Sequence, residues 1–382
     1  MKIDLIGPSY PFRGGISYYT TLLFKHLKAK HRVKFYCFRR QYPRFLFPGK
    51  TDKEESRFYL SDDDALPTLD ALNPLTWLRV AGNMIKDRPE LVIIPWWVVY
   101  WAPQDLTLIF LLRIFLKTRI LFICHNVAEH EANVLKAAVS RLVLSCGDGF
   151  VVHSAAEKEA LTALIGRRNI AVTCHPTYDV FNTVMIPKRE AREKLGITDE
   201  KVILFFGFVR RYKGLKDLIG ALPLILSKMS VRLLIVGEFW EDKQPYLRLI
   251  EKLGVGEQVT IIDRYVPNED IPVYFHASDL VALPYTSVTG SGLLQLALGL
   301  GKPVVTTKVG DFPKILQPER TGFLVAPESP AEIAAAVVDF YENHDAEKMT
   351  AQIKEENKRF SWDNLVKVVE SFSGSSDRLS RP

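Results

Sequence analysis

The chain has 382 residues, of which 47% are hydrophobic and 25% are charged, and its formal net charge at pH 7 is +6. This length exceeds one ordinary hydrophobic core, so two domains are expected. The mildly basic balance suits a phosphorylated ligand or an anionic membrane surface, and it does not indicate nucleic acid. The four cysteines are scattered without C-x-x-C spacing, and three of them lie in or beside apolar runs, which is typical of small core residues in a reducing compartment.

The two apolar regions most easily mistaken for targeting segments carry charges. The run at residues 3–6 contains Asp4, so it predicts a first buried strand and not a signal peptide. The most apolar region, residues 106–124, is interrupted by three basic residues, so it does not predict a membrane span. We expect a cytoplasmic protein, either soluble or peripheral on the inner face of the cytoplasmic membrane.

Aliphatic runs with strand character alternate with segments of helical spacing along the chain. The predicted strands are at residues 3–6, 33–38, 91–94, 119–124, 149–153, 170–173, 201–206, 232–236, 259–262, 280–283 and 304–307. Such alternation predicts parallel sheets with right-handed crossovers. The predicted fold class is therefore α/β. Two Rossmann-like domains, residues 1–178 and 179–360, would face each other across a cleft.

The first strand leads into a glycine- and proline-rich loop, residues 7–15, and then a helix predicted at residues 16–27. Backbone N–H groups at such a helix start can hold phosphate, and Gly15 would let a ligand approach the backbone closely. The loop does not match G-x-G-x-x-G, so a dinucleotide site is not indicated. The alternative is a connecting loop with no ligand.

His125 follows the strand predicted at residues 119–124. In open α/β sheets, ligands bind beyond the carboxyl ends of the strands. A lone histidine is usually structural, but this position favours a side chain that points into the crevice. His125 is therefore a candidate for substrate contact.

Two segments of the second half place a glycine-containing turn before a helix. Residues 207–215 carry Arg210 and Lys213. Arginine offers bidentate phosphate contacts, and lysine adds a point charge. Residues 289–292 form a small polar turn, where free N–H groups and the helix dipole can also hold phosphate. The alternatives are a basic surface turn and an ordinary tight turn.

Two proline-containing segments of the first half are rich in aromatic residues. Residues 39–50 include Arg40 and Arg44, and residues 95–103 include Trp96, Trp97 and Trp101. At a bilayer surface arginines meet lipid phosphates while aromatic rings enter the interface, and tryptophans beyond a strand can also stack on a sugar. We assign both segments to an acceptor- or membrane-facing surface. The alternatives are a solvated loop for the first and interdomain packing for the second.

The order and spacing of these segments resemble a GT-B glycosyltransferase of the large retaining family that includes bacterial sugar-nucleotide transferases, family 4 (group 1). The matching residues are Gly14-Gly15, His125-Asn126, Gly207, Lys213-Gly214, Val236-Gly237-Glu238, Asp279, Leu283-Pro284 and residues 301–305. They extend over nearly the whole chain. Residues 361–382 resemble the C-terminal segment of this fold, so they are expected to form a helix that returns toward the first domain, followed by a tail.

The resemblance implies a role for each position. The first domain would hold the acceptor, and the second would hold a nucleoside diphosphate sugar. The residues implied to bind the donor diphosphate are Gly15, Arg210, Lys213, Ser291, Gly292 and Leu293. Tyr265 and Val266 would lie near the base, and catalytic His125 would touch the transferred sugar or support the departing phosphate. No metal and no cofactor are implied, since cations and N–H groups can stabilise the diphosphate.

Three positions depart from the pattern of that family. The E-x7-E pair is absent, because its positions fall on Val288 and Leu296, and Gln295 is the candidate replacement for a ribose contact. Phe208 stands where an arginine usually follows the loop glycine, so Arg210 is the candidate replacement for that arginine. Pro-Lys at residues 313–314 replaces the frequent Pro-Glu.

We therefore predict a retaining hexosyltransferase that moves a sugar from a nucleoside diphosphate donor to a glycan or lipid-linked acceptor, in the synthesis of a cell-surface polysaccharide or glycolipid. The phosphate-binding features remain while carboxylates on the sugar and ribose sides are lost, which favours an active, divergent subgroup. Two alternatives stay open. A sugar-nucleotide 2-epimerase would need acid/base carboxylates, so their loss counts against it. A non-catalytic nucleotide-sugar-binding scaffold subunit is favoured by the missing pair.

Overall fold

The computed structural model describes residues 1–42, 51–54, 64–127, 134–166, 168–182, 186–197, 201–288 and 290–374. The chain divides into two compact units. Unit 1 contains Met1–Glu54, Tyr59–Cys174 and Ser361–Pro382, and unit 2 contains His175–Phe360. The C-terminal segment therefore belongs to the same unit as the N-terminal half of the chain.

Unit 1 alternates strands with helices. Its strands are β1 (Lys2–Gly7), β2 (Arg32–Arg40), β3 (Ala65–Asp70), β4 (Leu91–Trp96), β5 (Arg119–Cys124), β6 (Gly149–Val152) and β7 (Ile170–Val172). Its helices are α1 (Gly15–Lys28), α2 (Pro74–Asp87), α3 (Ala102–Phe115), α4 (Val134–Leu144), α5 (Ala155–Ile165) and α14 (Trp362–Gly374). Within the described residues the strands form one parallel sheet in the order β3-β2-β1-β4-β5-β6-β7.

Unit 2 repeats this construction. Its strands are β8 (Lys201–Phe206), β9 (Val231–Val236), β10 (Val259–Ile262), β11 (Leu280–Leu283), β12 (Val304–Thr307) and β13 (Gly322–Val325). Its helices are α6 (Lys188–Leu195), α7 (Leu215–Leu226), α8 (Gln244–Leu253), α9 (Ile271–Ala277), α10 (Gly292–Gly299), α11 (Phe312–Ile315), α12 (Pro330–Asn343) and α13 (Ala346–Glu356). As far as the chain is described, the parallel sheet has the order β10-β9-β8-β11-β12-β13.

Both sheets therefore have Rossmann topology, in which the strand order reverses next to the first strand. The reversal lies between β1 and β4 in unit 1 and between β8 and β11 in unit 2. Ligands of open α/β sheets bind beyond the carboxyl ends of the strands at this point. The predicted α/β class with two Rossmann-like domains is confirmed.

The sheet of unit 1 is covered on both faces. Helices α2, α3, α4 and α5 bury apolar side chains such as Met84, Leu108 and Val143 against one face of the sheet. Helices α1 and α14 pack against each other, and α14 also contacts β6. A Cβ on Gly149 of β6 would lie 2.4 Å from the ring of Phe372, so only glycine admits the helix this closely. Strands buried on both faces explain why β1, β4 and β5 are almost continuously apolar.

The aromatic segment after β4 is part of this core, which corrects the assignment of two tryptophans to an acceptor or membrane surface. Trp96 and Trp101 are only 2% and 3% exposed. The Trp101 ring packs within 4.5 Å of the Phe38 ring and within 4.9 Å of the Tyr100 ring, measured between centroids. These partners all belong to unit 1, so the cluster fills the interior of that unit. Trp97 is half-buried and packs against the same cluster.

The same surface assignment included two arginines, Arg40 and Arg44. Arg40 is exposed, and its Nε and Nη2 atoms both donate to Oδ1 of Asp70, at 2.9 and 2.8 Å. Arg44 lies outside the described residues. In the part of the chain that is described, no helix combines the length and the apolar character needed to cross a bilayer.

Candidate functional site

The candidate donor site is built on unit 2, where two loops leave neighbouring strands at the point of strand-order reversal. Strands β8 and β11 are paired, with Ile203 opposite Leu280. The loop after β8 carries Arg210 and Lys213, and the loop after β11 leads to the start of α10. Because the strands are parallel, both loops emerge from the same edge of the sheet. The sequence-predicted phosphate residues of unit 2 are thereby brought together.

Close backbone contacts hold the two loops to each other. The Thr286 N–H donates to the carbonyl oxygen of Tyr212 at 2.7 Å. Gly214 has φ +67°, and a Cβ placed on it would lie 1.8 Å from the carbonyl oxygen of Pro284. A side chain at this position would therefore separate the loops, which gives Gly214 a structural role in the site.

The ammonium group of Lys213 in this site has a strongly lowered pKa. Its side chain reaches Gly207, where a Cβ would lie 3.3 Å from Nζ and 2.7 Å from Cδ1 of Leu293. Lys213 is only 6% exposed. Burial, and secondly the positive charge of Arg210, lower the pKa of its ammonium group to about 7. Across the described residues no carboxylate forms an ion pair with Lys213, so an anionic ligand is the partner that would stabilise its charged form.

The start of α10 provides polar groups beside these cations. Ser291 caps the helix, and its Oγ accepts a hydrogen bond from the Leu293 N–H at 3.2 Å. This N–H is one of those assigned to the donor phosphate, and the cap already uses it. The helix dipole still favours an anion at this end. Gly292 lies against Tyr178, with 3.3 Å between a Cβ on the glycine and the tyrosine ring.

Gln295 lies one turn further along α10 and has an unusual environment. It is 1% exposed, and neither Oε1 nor Nε2 has a hydrogen-bond partner in the described structure. Burying an amide without hydrogen-bond partners costs free energy, and hydrogen bonds to a ligand hydroxyl would offset that cost. At the positions of the absent carboxylate pair, Leu296 is buried and apolar, while Val288 is half-buried.

Aromatic side chains line the same edge next to the basic loop. The rings of Phe208 and Trp240 stack with centroids 3.9 Å apart, and the Tyr265 ring lies 5.9 Å from Phe208. The guanidinium carbon of Arg210 lies 4.6 Å from the centre of the Trp240 ring. Val266 is buried. Sequence reasoning missed Trp240, although its place four residues beyond β9 was a usable signal.

The candidate residues of unit 1 lie at the corresponding edge of its sheet. His125 follows β5, and its N–H donates to the carbonyl oxygen of Trp96 at 2.8 Å. Its ring stands edge-on to Tyr19, 4.3 Å between centroids, and lies 5.5 Å from the ring of His153. Gly15 begins α1 and is exposed. His153 was not singled out from the sequence, although it follows β6 as His125 follows β5.

Nowhere in the described ranges do three or more His, Cys, Asp or Glu side chains gather so that they could hold a metal ion. Arg210 and Lys213 supply positive charge, α10 supplies a helix start, and the Phe208–Trp240 stack supplies an apolar surface.

Comparison with known proteins gives this site a context. Residues 187–360 match the family model described as Glycosyl transferases group 1. The chain is 31% identical over 181 residues to an uncharacterized glycosyltransferase of Methanocaldococcus jannaschii, covering 46% of this chain and 45% of that protein. It is 30% identical over 189 residues to the D-inositol 3-phosphate glycosyltransferase of Corynebacterium urealyticum, covering 47% and 44%. The matched region thus spans less than half of these curated relatives.

The similarity in fold extends over nearly the whole chain. The crystal structure of Anabaena HepE in complex with UDP covers 98% of this chain and is itself fully covered, with a TM-score of 0.74 and 18% sequence identity. Similarity at this identity concerns the fold, and it confirms the predicted GT-B class. The family match is confined to residues 187–360, which lie in unit 2.

Proposed function

We propose that this protein is a retaining hexosyltransferase of the family 4 type that uses a nucleoside diphosphate sugar. Its fold is GT-B, and its residues 187–360 match the model of the group 1 glycosyltransferases. The acceptor is a glycan or a lipid-linked molecule, and the product belongs to a cell-surface polysaccharide or glycolipid. The observation that carries this proposal is Lys213, a buried lysine with no carboxylate partner in the described residues, beside Arg210 and the start of α10.

The chemistry of transfer explains why such a site is needed. The bond between the anomeric carbon and the diphosphate oxygen breaks, and the diphosphate leaves with the electron pair. The acceptor hydroxyl forms the new bond to the anomeric carbon on the same face, and its proton passes to the oxygen of the departing diphosphate. Arg210 and Lys213 stabilise the charge that develops on the departing diphosphate, an effect that is strongest at a buried cation. His125 contacts the transferred sugar in this proposal.

The nucleoside is assigned to the rest of the same edge. Tyr265, Val266 and the neighbouring Phe208–Trp240 stack give the base an apolar surface, and the buried amide of Gln295 is available to a ribose hydroxyl. The similar structures of HepE hold UDP and UDP-glucose. UDP is therefore the first nucleotide to test.

Calorimetric titration with UDP, GDP, ADP and CDP tests the donor site. We expect one nucleotide to bind, and Lys213→Ala to weaken it about a hundredfold, because a hydrogen bond to a charged group contributes about 1.5–3 kcal/mol. The matched control is Lys216→Ala, which removes an exposed lysine three residues away. The control should bind as tightly as the wild type. If the folded protein bound none of the four nucleotides, the donor-site assignment would be wrong.

A further inference from the structure

The outer face of unit 1 carries most of the large apolar side chains that are exposed in the described chain. Of the twelve large apolar side chains that are exposed in the described residues, nine lie on α2, α3 and α4 or two residues before α2. Each helix contributes at least two of them, and seven of these side chains are 50% to 73% exposed: Leu75, Leu78, Phe110, Ile114, Phe115, Leu135 and Leu142. Scattered apolar residues are normal on a protein surface, but such concentration indicates an interaction site.

The three helices form one continuous layer. Helix α3 packs against α2 on one side and against α4 on the other. The side chains that these helices bury against the sheet, such as Met84 and Leu108, lie opposite the exposed ones. Within α2 the exposed Leu75, Leu78 and Arg79 have the i, i+3, i+4 spacing of a single helix face. We call the exposed face of α2, α3 and α4 the outer apolar face.

The charges on the outer apolar face are basic. Arg79, Lys86 and Arg141 are exposed on α2 and α4. All residues of the three helices are described, and only two of them are acidic. Asp105 of α3 is buried at 2% exposure, and Asp87 of α2 pairs with Lys34 at 2.7 Å. Large apolar side chains surrounded by lysine and arginine are typical of a surface that enters the headgroup region of an anionic bilayer.

We propose that the outer apolar face binds the surface of an anionic lipid bilayer, with Phe110, Ile114 and Leu135 entering the interface and Arg79, Lys86 and Arg141 meeting lipid phosphates. A second copy of the chain fits less well. A two-fold symmetric contact would bring together two copies of this face, and the charges of both copies are basic. Lipid phosphates complement those charges instead.

This inference deepens the proposed function, because it would hold unit 1 where a lipid-linked acceptor is available. It also replaces the tryptophan assignment made from sequence, since Trp96 and Trp101 are buried. The binding step itself does not depend on transferase activity and is measured separately.

Vesicle co-sedimentation of the full chain tests the proposal. We expect the wild type to bind vesicles of phosphatidylethanolamine with phosphatidylglycerol, and to bind vesicles of phosphatidylcholine much less. The double variant Phe110→Ser/Ile114→Ser should bind the anionic vesicles at least about tenfold more weakly, because it removes the apolar insertion. Arg79→Glu/Arg141→Glu should cause a loss of similar size, because each basic residue near the surface adds to the attraction.

Two matched controls lie in unit 2. Leu224→Ser removes an exposed leucine of α7, and Arg248→Glu reverses an exposed arginine of α8. Both should bind vesicles as the wild type does. Circular dichroism and nucleotide titration of each variant identify any that has lost its fold.

Three outcomes would overturn the membrane proposal. The wild type fails to sediment with anionic vesicles, the Phe110→Ser/Ile114→Ser variant binds them as tightly as the controls do, or light scattering shows a wild-type dimer that this variant dissociates. The last result would assign the face to a second copy. Loss of nucleotide binding with intact vesicle binding would instead count against the proposed function alone.

Discussion

The two units have the same strand order, yet the carboxyl edges of their sheets carry different side chains. In unit 1 the edge holds rings packed on one another, with His125 standing 4.3 Å from Tyr19 and 5.5 Å from His153. In unit 2 the edge holds glycine-containing loops around one buried cation, Lys213. Topology therefore selects the place of a site in both units, while loop residues decide its chemistry.

At the carboxyl edge of the unit 2 sheet, the loops also approach each other closely, backbone to backbone. Gly207 and Gly237 follow β8 and β9, and both have positive φ angles, +96° and +148°. A Cβ on Gly237 would lie 2.1 Å from the carbonyl oxygen of Gly207. The loops approach each other at distances that only glycine allows.

The largest effect is expected on turnover, from a substitution at the carboxyl edge of the unit 1 sheet. Replacing His125 with Ala should slow release of the nucleoside diphosphate from its sugar by about a hundredfold or more, since a positioned side chain at the reacting group contributes on that order. Calorimetric affinity for the nucleotide should not change. Lys213→Ala, at the carboxyl edge of the unit 2 sheet, should instead lower the affinity for the nucleotide.

His153→Ala is the control for ring packing, because His153 lies close to His125 and its Nδ1 contacts the Thr173 carbonyl at 3.1 Å. Its turnover should stay near that of the wild type. Equal loss in both variants would assign the effect to packing at the edge. Full turnover in His125→Ala would contradict its catalytic role.

A smaller effect is expected from the glycine that joins the two loops. Gly214 and Gly254 share φ +67°, but a Cβ would meet the Pro284 carbonyl only at Gly214 and nothing within 4 Å at Gly254. Alanine in the left-handed region costs about 1–2 kcal/mol. We expect this loss for Gly254→Ala in the free energy of unfolding by urea, and about 3 kcal/mol or more for Gly214→Ala.

Nucleotide titration extends the comparison of these two variants. Gly214→Ala should also weaken nucleotide binding, because it separates the loop of Lys213 from the loop that leads to α10. Gly254→Ala should leave binding unchanged. Equal losses of stability in the two variants would contradict the close contact with Pro284.

Most of the fold could be predicted from the sequence because buried parallel strands are nearly continuous apolar runs. β1, β5 and β8 were predicted within one or two residues. β3 was not predicted, because Ala65–Asp70 is a partly exposed sequence, ALPTLD, at the edge of the sheet. Proline is tolerated in such a strand because one side lacks a ladder partner.

The candidate site was only partly predictable, for a different physical reason. Loop length and glycine positions indicated Arg210 and Lys213, since local sequence determines a strand–loop–helix connection. The burial of Trp96 and Trp101 depends on packing against Phe38 and Tyr100, which no local pattern reports. Likewise the stack of Trp240 on Phe208 joins loops from two different strands.

The smallest effect concerns the proton on Lys213. Its pKa of about 7 in the folded protein is depressed from 10.5, first by burial and then by Arg210. Between these values the unfolded chain binds a proton at Lys213 that the folded chain lacks, so the free energy of unfolding should rise with pH across that window and not below it. A bound diphosphate favours the ammonium form and raises the pKa. Nucleotide binding near pH 8 should therefore take up a proton.

Calorimetry in buffers of different ionisation enthalpy measures that uptake directly. In the wild type the observed enthalpy at pH 8 should change with the buffer, and affinity should fall by up to about tenfold per pH unit above pH 7. Lys213→Arg keeps its charge throughout this range because guanidinium does not lose its proton. Its binding enthalpy should be independent of the buffer. Proton uptake that persisted in Lys213→Arg would come from another group, and the anion would then not be held by the Lys213 ammonium as proposed.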